Sequence, residues 1–537
     1  MLTLKSDLLD SRRNRIIALG TLSFIAVCAL LYAFAKGPGV SQDPSNYASA
    51  AESFASGNKF IDSAGRTITV WPLGLPVLLG LLIKAGLNIE TAAMFVNLVC
   101  TIIAILLTYF IARKFSSSNQ LAILVTAFFA LSLSTLEIFQ ILNTEVPFIC
   151  LTLLALSLMI LLEPQRSTPQ IVLLLIGVAC ATSLATSFRL IGLSLIPAGL
   201  LAAWTITSRF TIAKRLSVLG IFLGLSVLGV LAFFARNISL GYDPFGERLS
   251  NAQFGANIKG VVYGTWLTLA KYVIPTNFSQ SNIAPGIGNY AEPSLLTYPL
   301  LLLGLAIMIA LCLAIINSLR YSSAQLRPIA IFVSAYWAFL IYSELTTDVD
   351  QVNTRLLSPV FVPMLILFAL WITEQSKTIN NSNLRKALSL QKIGRVIILT
   401  LFLLQIFGSI SFLNVAHTEG IGYNNNVFQN SQLLKQVQDA PAEQVVLSYG
   451  TESVYWVTKR RTETLWPEGN FADETELAET QATKIVRRTT TTSSPYLVYQ
   501  YEEISKELIQ ALKARNISIT VLGKYPDGYL YQAKLVP

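Results

Sequence analysis

Long apolar stretches alternate with short polar ones up to about residue 415, and then the rhythm changes. Apolar runs near the ~20 residues that a helix needs to cross a bilayer lie at about 16–35, 91–112, 120–138, 146–162, 170–187, 190–207, 216–235, 297–318, 328–345, 356–374 and 396–415. They predict roughly eleven spans. The run Leu73–Gly86 is shorter, is interrupted by Gly74 and Pro76, and carries Lys84; this pattern predicts a re-entrant or interfacial helix. The first run follows Lys5, Arg12, Arg13 and Arg15 and ends without a small-residue cleavage site, so it reads as a retained span. Beyond residue 416 the periods shorten. Strands are predicted at Gln444–Tyr449 and Ser494–Tyr501, a polar helix at Ala472–Arg488 and an amphipathic helix at Ile504–Arg515. A hairpin of Ile517–Gly523 and Gly528–Leu535 turns at Pro526-Asp527-Gly528, and Thr489–Ser494 reads as a loop. The expected fold is a polytopic α-helical membrane domain over 1–415 with a soluble α/β domain over 416–537.

Composition agrees with that pattern: 53% of the residues are apolar and only 13% charged, about half the charge of a soluble chain. The net charge of +9 is therefore a topology signal, and no nucleic-acid partner is expected. With the N-terminus in the cytoplasm and Leu73–Gly86 not crossing, Arg113-Lys114, Arg166, Arg209, Lys214, Arg215, Arg320, Arg327 and Lys377–Arg395 all fall on the cytoplasmic side. If Leu73–Gly86 crossed, the bias would invert. The segments 36–90, 139–145, Arg189, 236–296, 346–355 and the C-terminal domain then share the extracytoplasmic face. The five cysteines lie in apolar runs without metal-ligand spacing and read as small core residues, and a lone His417 leaves little for a histidine triad or zinc site.

Charges on the face that should lack them are the candidates for chemistry. Asp43-Pro44 follows the first span; it reads either as a helix cap or as a carboxylate base at the membrane edge. Tyr47 lies one turn on, as an interfacial packing aromatic or a substrate-positioning group. Glu145, in Leu142-Asn143-Thr144-Glu145-Val146-Pro147-Phe148, complements a helix dipole or assists the chemistry; Glu137, inside the preceding run, is the weaker candidate. Arg189, in Ser187-Phe188-Arg189-Leu190-Ile191-Gly192, and Arg355, in Asn353-Thr354-Arg355-Leu356-Leu357-Ser358-Pro359, break the positive-inside trend. An edge arginine of this kind suits a phosphate, which its planar fork matches. A salt bridge from Arg355 to Asp348 or Asp350 is the structural alternative. The long loop 236–296 carries Lys259 and Lys271, and Lys271 is either a phosphate ligand or a snorkelling interfacial lysine.

The Asp43–Tyr47 loop outside the first span, followed by Trp71-Pro72, resembles the first external loop of the GT-C glycosyltransferases, closest to the protein mannosyltransferase and lipid A aminoarabinose transferase branch. Arg189 sits in a segment similar to a Thr-Arg-Tyr-x-Gly step of that family, with Phe188 before the arginine in place of a tyrosine after it. Arg355 to Pro359 is similar to an Arg-Tyr-x-x-Pro step, with Leu356 replacing the tyrosine. Val445–Tyr449 and Tyr455–Arg460 are similar to the tails of bacterial members. The resemblance implies a GT-C-like fold and sugar transfer from a polyprenyl-phosphate sugar, in a plasma (inner) membrane, to a glycan, glycolipid or protein acceptor on the external face. It implies Asp43 as catalytic residue, Glu145 as its assistant, a divalent cation (Mg or Mn) on Asp43 and Glu145, and phosphate binding by Arg189 and Arg355, to which the loop reading adds Lys271 as a further phosphate ligand. A polymerase or ligase using a diphosphate-linked glycan shares the external arginines. A lipid-sugar flippase or transporter predicts repeats and midplane charges, which this pattern lacks. No Gly-rich phosphate loop is present, and the Asp348-Val349-Asp350 spacing lies in an external turn, so a lipid-linked donor is expected over a nucleotide sugar.

Overall fold

The structure, a computed structural model, describes residues 11–116, 118–246, 254–275, 297–321, 325–347, 351–380, 384–466, 473–492 and 494–536. In chain order the first part builds helices α1 (Arg12–Ala33), α2 (Gln42–Ala55), α3 (Gly74–Lys84), α4 (Ile89–Phe115), α5 (Asn119–Leu131), α6 (Leu133–Gln140), α7 (Glu145–Ile160), α8 (Thr168–Phe188), α9 (Leu195–Ile206), α10 (Ile212–Ser226), α11 (Leu228–Ser239), α12 (Phe254–Lys271), α13 (Thr297–Tyr321), α14 (Arg327–Thr346), α15 (Thr354–Asn380) and α16 (Leu384–Thr418). Among the described residues eight helices are long and apolar enough to cross a membrane, or up to ten when the bent pairs α5–α6 and α10–α11 each count as one span. The expected run 146–162 falls short of that standard. Helix α7 has 16 residues and so reaches about 24 Å, less than the hydrocarbon thickness of ~30 Å. Leu73–Gly86 forms the 11-residue α3, short as expected, and it packs on α2 with Lys84 Nζ 4.4 Å from the Phe54 ring centre.

The bends have local causes. Ser132 breaks α5 from α6 in extended conformation, and its hydroxyl turns back to the Phe129 carbonyl at 3.2 Å. The loop expected over 236–296 contains α12, which places Lys271 on a helix end rather than in a flexible cover. Of the cysteines, Cys100 and Cys150 are buried, whereas Cys28, Cys180 and Cys312 are exposed; these three lie on outer faces of spanning helices, where a thiol meets lipid as readily as core.

The two ends of the bundle differ. At one end Lys114 pairs with Glu163 at 2.6 Å, and Arg209 donates to the carbonyls of Pro164 and Arg166, both at 3.1 Å. These are the residues expected in the cytoplasm. At the other end three distant backbone segments meet. Gly39 N donates to Gln140 O at 3.0 Å, Leu142 N to Gly39 O at 3.0 Å, and Tyr423 N to Val40 O at 2.7 Å. The closest approach requires glycine: a Cβ on Gly422 would meet the Val40 backbone O at 1.9 Å, with φ already +62°.

The C-terminal part continues with α17 (Asn426–Gln429), α18 (Gln432–Asp439), β1 (Val446–Ser448), α19 (Thr451–Thr458), β2 (Glu463–Thr464), α20 (Glu474–Thr492), β3 (Tyr496–Gln500), α21 (Lys506–Lys513), β4 (Ile517–Tyr525) and β5 (Gly528–Leu535). The sheet order is β2-β1-β3-β5-β4. Strands β1 and β2 and strands β1 and β3 run parallel, and β5 lies antiparallel to both β3 and β4. Strand alternation divides the side chains between two faces. Leu447, Leu497, Tyr499 and Tyr531 pack with Ala482, Ile485 and Leu512 of α20 and α21. Val446, Val498 and Leu530 pack with Leu433, Leu434, Val454 and Trp456 of α18 and α19, in the same apolar cluster that runs through the membrane helices. Helix α20 runs through most of the stretch expected as a loop. The hydroxyls of Thr489, Thr490 and Thr491 bond back to the carbonyls of Ile485, Arg487 and Arg487 at 2.8, 2.9 and 2.9 Å, so these threonines spend their polarity within the helix.

Candidate active site

Three helix starts and one helix break deliver the site. Helix α2 begins at Gln42 with Ser41 as its cap, and the Ser41 side chain makes no capping bond. Asp43 therefore lies inside the first turn and is not the cap. Its carboxylate accepts from Arg355 Nη1 at 3.0 Å. The capping alternative for Asp43 gives way to an ion pair across 312 residues of sequence.

Arg355 stands in the first turn of α15. Asn353 Oδ1 caps that turn, accepting from Leu356 N at 3.1 Å. Pro359 has no N–H to offer the Arg355 carbonyl, and Ser358 Oγ takes that place at 2.8 Å. Tyr336 OH donates to Leu356 O at 2.6 Å and ties the same turn to α14.

Glu145 opens α7. Asn143 Oδ1 caps the helix through Val146 N at 3.1 Å. Pro147 sits in the first turn, where its missing N–H leaves nothing unpaired. The turn before it is held from beneath by Asn97, whose Nδ2 donates to Phe139 O at 2.8 Å and Ile141 O at 3.0 Å. Glu145 is 1% exposed as a side chain. Its Oε1 meets Arg189 Nη1 in a short contact and Arg355 Nε at 3.5 Å; its Oε2 accepts from Thr144 Oγ1 at 3.3 Å. Arg189 ends α8 with extended backbone, φ −149° and ψ 129°. The helix breaks there and the side chain turns inward, where Nη1 also donates to Thr144 Oγ1 at 3.2 Å.

Asp43, Glu145, Arg189 and Arg355 thus form one cluster in which a buried carboxylate bridges two guanidiniums. Tyr47 lies beside it on α2, with its ring edge-on to Trp71 at 5.6 Å. Burial first, and then the Asp43 and Glu145 charges, hold its phenol well above the ordinary value of 10.0, so it acts as a hydroxyl donor and not as a phenolate. Lys271 is not in the cluster; its electrostatic neighbour is Glu137, and its backbone carbonyl accepts from Gln405 at 3.2 Å. Asp348 and Asp350, the alternative partners for Arg355, lie outside the described residues.

The donor set does not suit a divalent cation on Asp43 and Glu145. A hard cation takes six or more oxygens from several carboxylates, carbonyls and waters. Here each carboxylate already has a guanidinium within 3.0–3.5 Å, and no group of three or more acidic, His or Cys side chains arranged for a metal exists among the described residues.

Thr144 and Glu452 were not legible as parts of this region. Thr144 precedes a more obvious glutamate, and its role depends on the turn that Asn97 holds. Glu452 lies on α19 in the C-terminal part, where its Oε1 accepts from Gln42 Nε2 at 3.4 Å, next to Asp43. Burial raises its carboxyl above the ordinary value of 4.5.

No family model and no curated protein matches the sequence. The fold does match solved structures. ArnT from Cupriavidus metallidurans in the apo state superposes with a TM-score of 0.58 at 13% identity, covering 95% of this chain and 97% of that one. The same protein bound to undecaprenyl phosphate gives 0.55 at 13% identity, over 97% and 98%. AglB, the oligosaccharyltransferase from Archaeoglobus fulgidus, in complex with an inhibitory peptide and a dolichol-phosphate, gives 0.50 at 13% identity, over 91% and 70%. The expected multi-pass, membrane-embedded helical architecture therefore stands, and the chain shares its fold with ArnT and AglB.

Proposed function

We propose that this chain is a glycosyltransferase that moves a sugar from a polyprenyl-phosphate carrier to a glycan, glycolipid or protein acceptor on the extracytoplasmic face of a plasma (inner) membrane. The observation that carries this reading is the pair of guanidiniums, Arg189 and Arg355, held side by side by one buried glutamate and adjoining Asp43. Two arginines fixed by a common carboxylate present a fork that fits phosphate oxygens and costs little reorganisation as charge develops on them. Undecaprenyl phosphate in ArnT and dolichol-phosphate in AglB support a lipid phosphate as the ligand here.

In the proposed reaction the acceptor hydroxyl or amine attacks the anomeric carbon. The carbon–oxygen bond to the phosphate breaks, and the bonding pair leaves with the phosphate toward Arg189 and Arg355. Asp43 takes the acceptor proton. Glu145 is a positioning residue that holds the two guanidiniums beside each other in the absence of phosphate. Tyr47 donates a hydrogen bond to donor or acceptor from the buried side of α2. Residues 416–537 form an extracytoplasmic domain packed over the site.

The test is transfer from a synthetic polyprenyl-phosphate sugar by purified protein in lipid nanodiscs, read as release of free polyprenyl phosphate. Loss of release in a folded Asp43→Asn variant supports the reading, and unchanged release removes Asp43 from the chemistry. Turnover with diphosphate-linked glycan and none with the monophosphate donor identifies a polymerase or ligase on the same arginines.

A further inference from the structure

Helix α2 has two working faces. One presents Asp43 and Tyr47 to the arginine cluster. The other is a polar stripe, Gln42, Ser45, Ser49 and Glu52, spaced three, four and three residues apart and so aligned along one side of the helix. Every residue of the stripe is bound by a single short stretch of the C-terminal part. Gln42 Nε2 donates to Glu452 Oε1 at 3.4 Å, and Ser45 Oγ donates to the Glu452 carbonyl at 2.8 Å. Arg461 Nε and Nη2 both reach Ser49 Oγ at 3.4 Å. Glu52 receives the Tyr455 hydroxyl and, at 3.3 Å, Lys459 Nζ. Lys459 is placed by its left-handed backbone, φ 57°, at the end of α19. A second link joins Ser63 Oγ to Asn46 Oδ1 at 2.7 Å and to Thr451 Oγ1 at 3.5 Å.

A 14-residue helix is marginal by itself in water, and the outer stripe of α2 carries no large apolar side chain to anchor it. Tyr47, Ala48 and Ala51 seat its inner side in the apolar core, and these polar bonds fix the outer side, including the first turn. We infer that α19 is a positioning element for the proposed reaction, with Glu452 its central residue. It holds the first turn of α2 so that Asp43 faces the arginines, although no residue of α19 touches reacting atoms. This rests on the reading of Asp43 as the base. It gives the C-terminal part a role in rate rather than in donor binding.

The experiment compares wild type, Glu452→Ala and Glu452→Gln as full-length protein in nanodiscs. Hydrogen exchange of the α2 amides, the affinity for polyprenyl phosphate, and kcat are read together, with Asp43→Asn as a control. Glu452→Gln keeps an Oε1 acceptor for Gln42. Glu452→Ala is expected to raise α2 exchange at least about tenfold and lower kcat by about tenfold or more, since small misplacements of a reacting group are costly, while leaving the affinity for polyprenyl phosphate within about twofold. Glu452→Gln is expected to restore both exchange and kcat. Unchanged α2 exchange in Glu452→Ala overturns the proposal without reference to turnover. So does faster exchange with unchanged kcat, or a glutamine variant as slow as the alanine one. Full turnover in the Asp43→Asn control overturns the underlying reading of the base instead.

Discussion

Replacing Asp43 with asparagine is expected to tighten the binding of polyprenyl phosphate while abolishing transfer. Arg355 Nη1 is 3.0 Å from Asp43 Oδ2, and both side chains are 26% exposed. A phosphate that takes this guanidinium has to draw it from the carboxylate. An ion pair near the surface contributes about 0.2–1 kcal/mol. Removing the carboxylate also removes a negative charge beside the incoming phosphate. Such a repulsion at 4 Å ranges from about 1 kcal/mol in water to about 4 kcal/mol at an effective dielectric of ~20, and the partial exposure here favours the low end. Together these effects amount to about 1–2 kcal/mol, or roughly five- to thirtyfold in Kd. Titration calorimetry with a short-chain polyprenyl phosphate, on wild type, Asp43→Asn and Arg355→Ala in matched nanodiscs, measures it. Arg355→Ala should move in the opposite direction, by tenfold or more, on the order of 1.5–3 kcal/mol for a lost charged hydrogen bond. Weaker or unchanged binding in Asp43→Asn would refute the competition between carboxylate and phosphate, and unchanged binding in Arg355→Ala would refute the arginine as a phosphate ligand.

Glu145→Ala should destabilise the fold by about 3–5 kcal/mol, because it leaves two guanidiniums together without their bridging carboxylate; thermal unfolding should show the loss, and added inorganic phosphate should recover part of it. Gly422→Ala should be far worse than Gly57→Ala, although both glycines have positive φ. At Gly57 nothing lies within 4 Å of the new Cβ, whereas at Gly422 it meets Val40 O at 1.9 Å, so the control costs about 1–2 kcal/mol and the other prevents the segments from joining; equal unfolding temperatures would contradict the bridge. Glu452→Gln should raise the unfolding temperature at neutral pH and lose that advantage near pH 4. Burial raises the carboxyl above its ordinary 4.5, so the folded state binds the proton more tightly than the unfolded chain. The native glutamate is then least costly below 4.5 and increasingly costly as pH rises through its folded value. A pH-independent difference between the two proteins would refute this.

The parts of the site that could be read from the chain were those that broke a rule. Arg189 and Arg355 stood out because positive charge accumulated on the wrong side of a consistent topology, and Asp43 and Glu145 stood out as carboxylates at the ends of apolar runs. Their mutual pairing could not be read, since it depends on Asn97, Asn143 and Ser358 shaping local turns and on partners 44 residues apart in Glu145–Arg189 and 312 apart in Asp43–Arg355. Lys271 was misplaced because the 236–296 segment was treated as one loop: Phe254–Lys271 carries Gly255, Gly260 and Gly264 among β-branched residues, a weak helix former whose helix is decided by packing against α13. In the C-terminal part four of the five strands were legible from their alternation, and the two-residue β2 was too short to show. Helix α19 was not, because Thr451–Thr458 mixes β-branched and aromatic residues whose helical state is decided by contact with α2. The run Thr489–Thr492 was misread for the converse reason: its side chains favour turns in isolation, yet here they bond to their own helix.

The joining of Val40 to Gly422 and of Asp43 to Arg355 also constrains how the protein is made. Asp43 leaves the ribosome early, and its guanidinium partner follows 312 residues later, roughly 15–60 s at ordinary rates of synthesis. The strand contact that fixes the loop needs Gly422, later still. Glu145 and Arg189, 44 residues apart, can pair long before Arg355 is made, whereas Asp43 waits for its partner through the whole interval. Chains released before Tyr423 would therefore hold every charged residue of the cluster and still lack the backbone contact of Val40 with Gly422 and Tyr423 that holds the Asp43 loop.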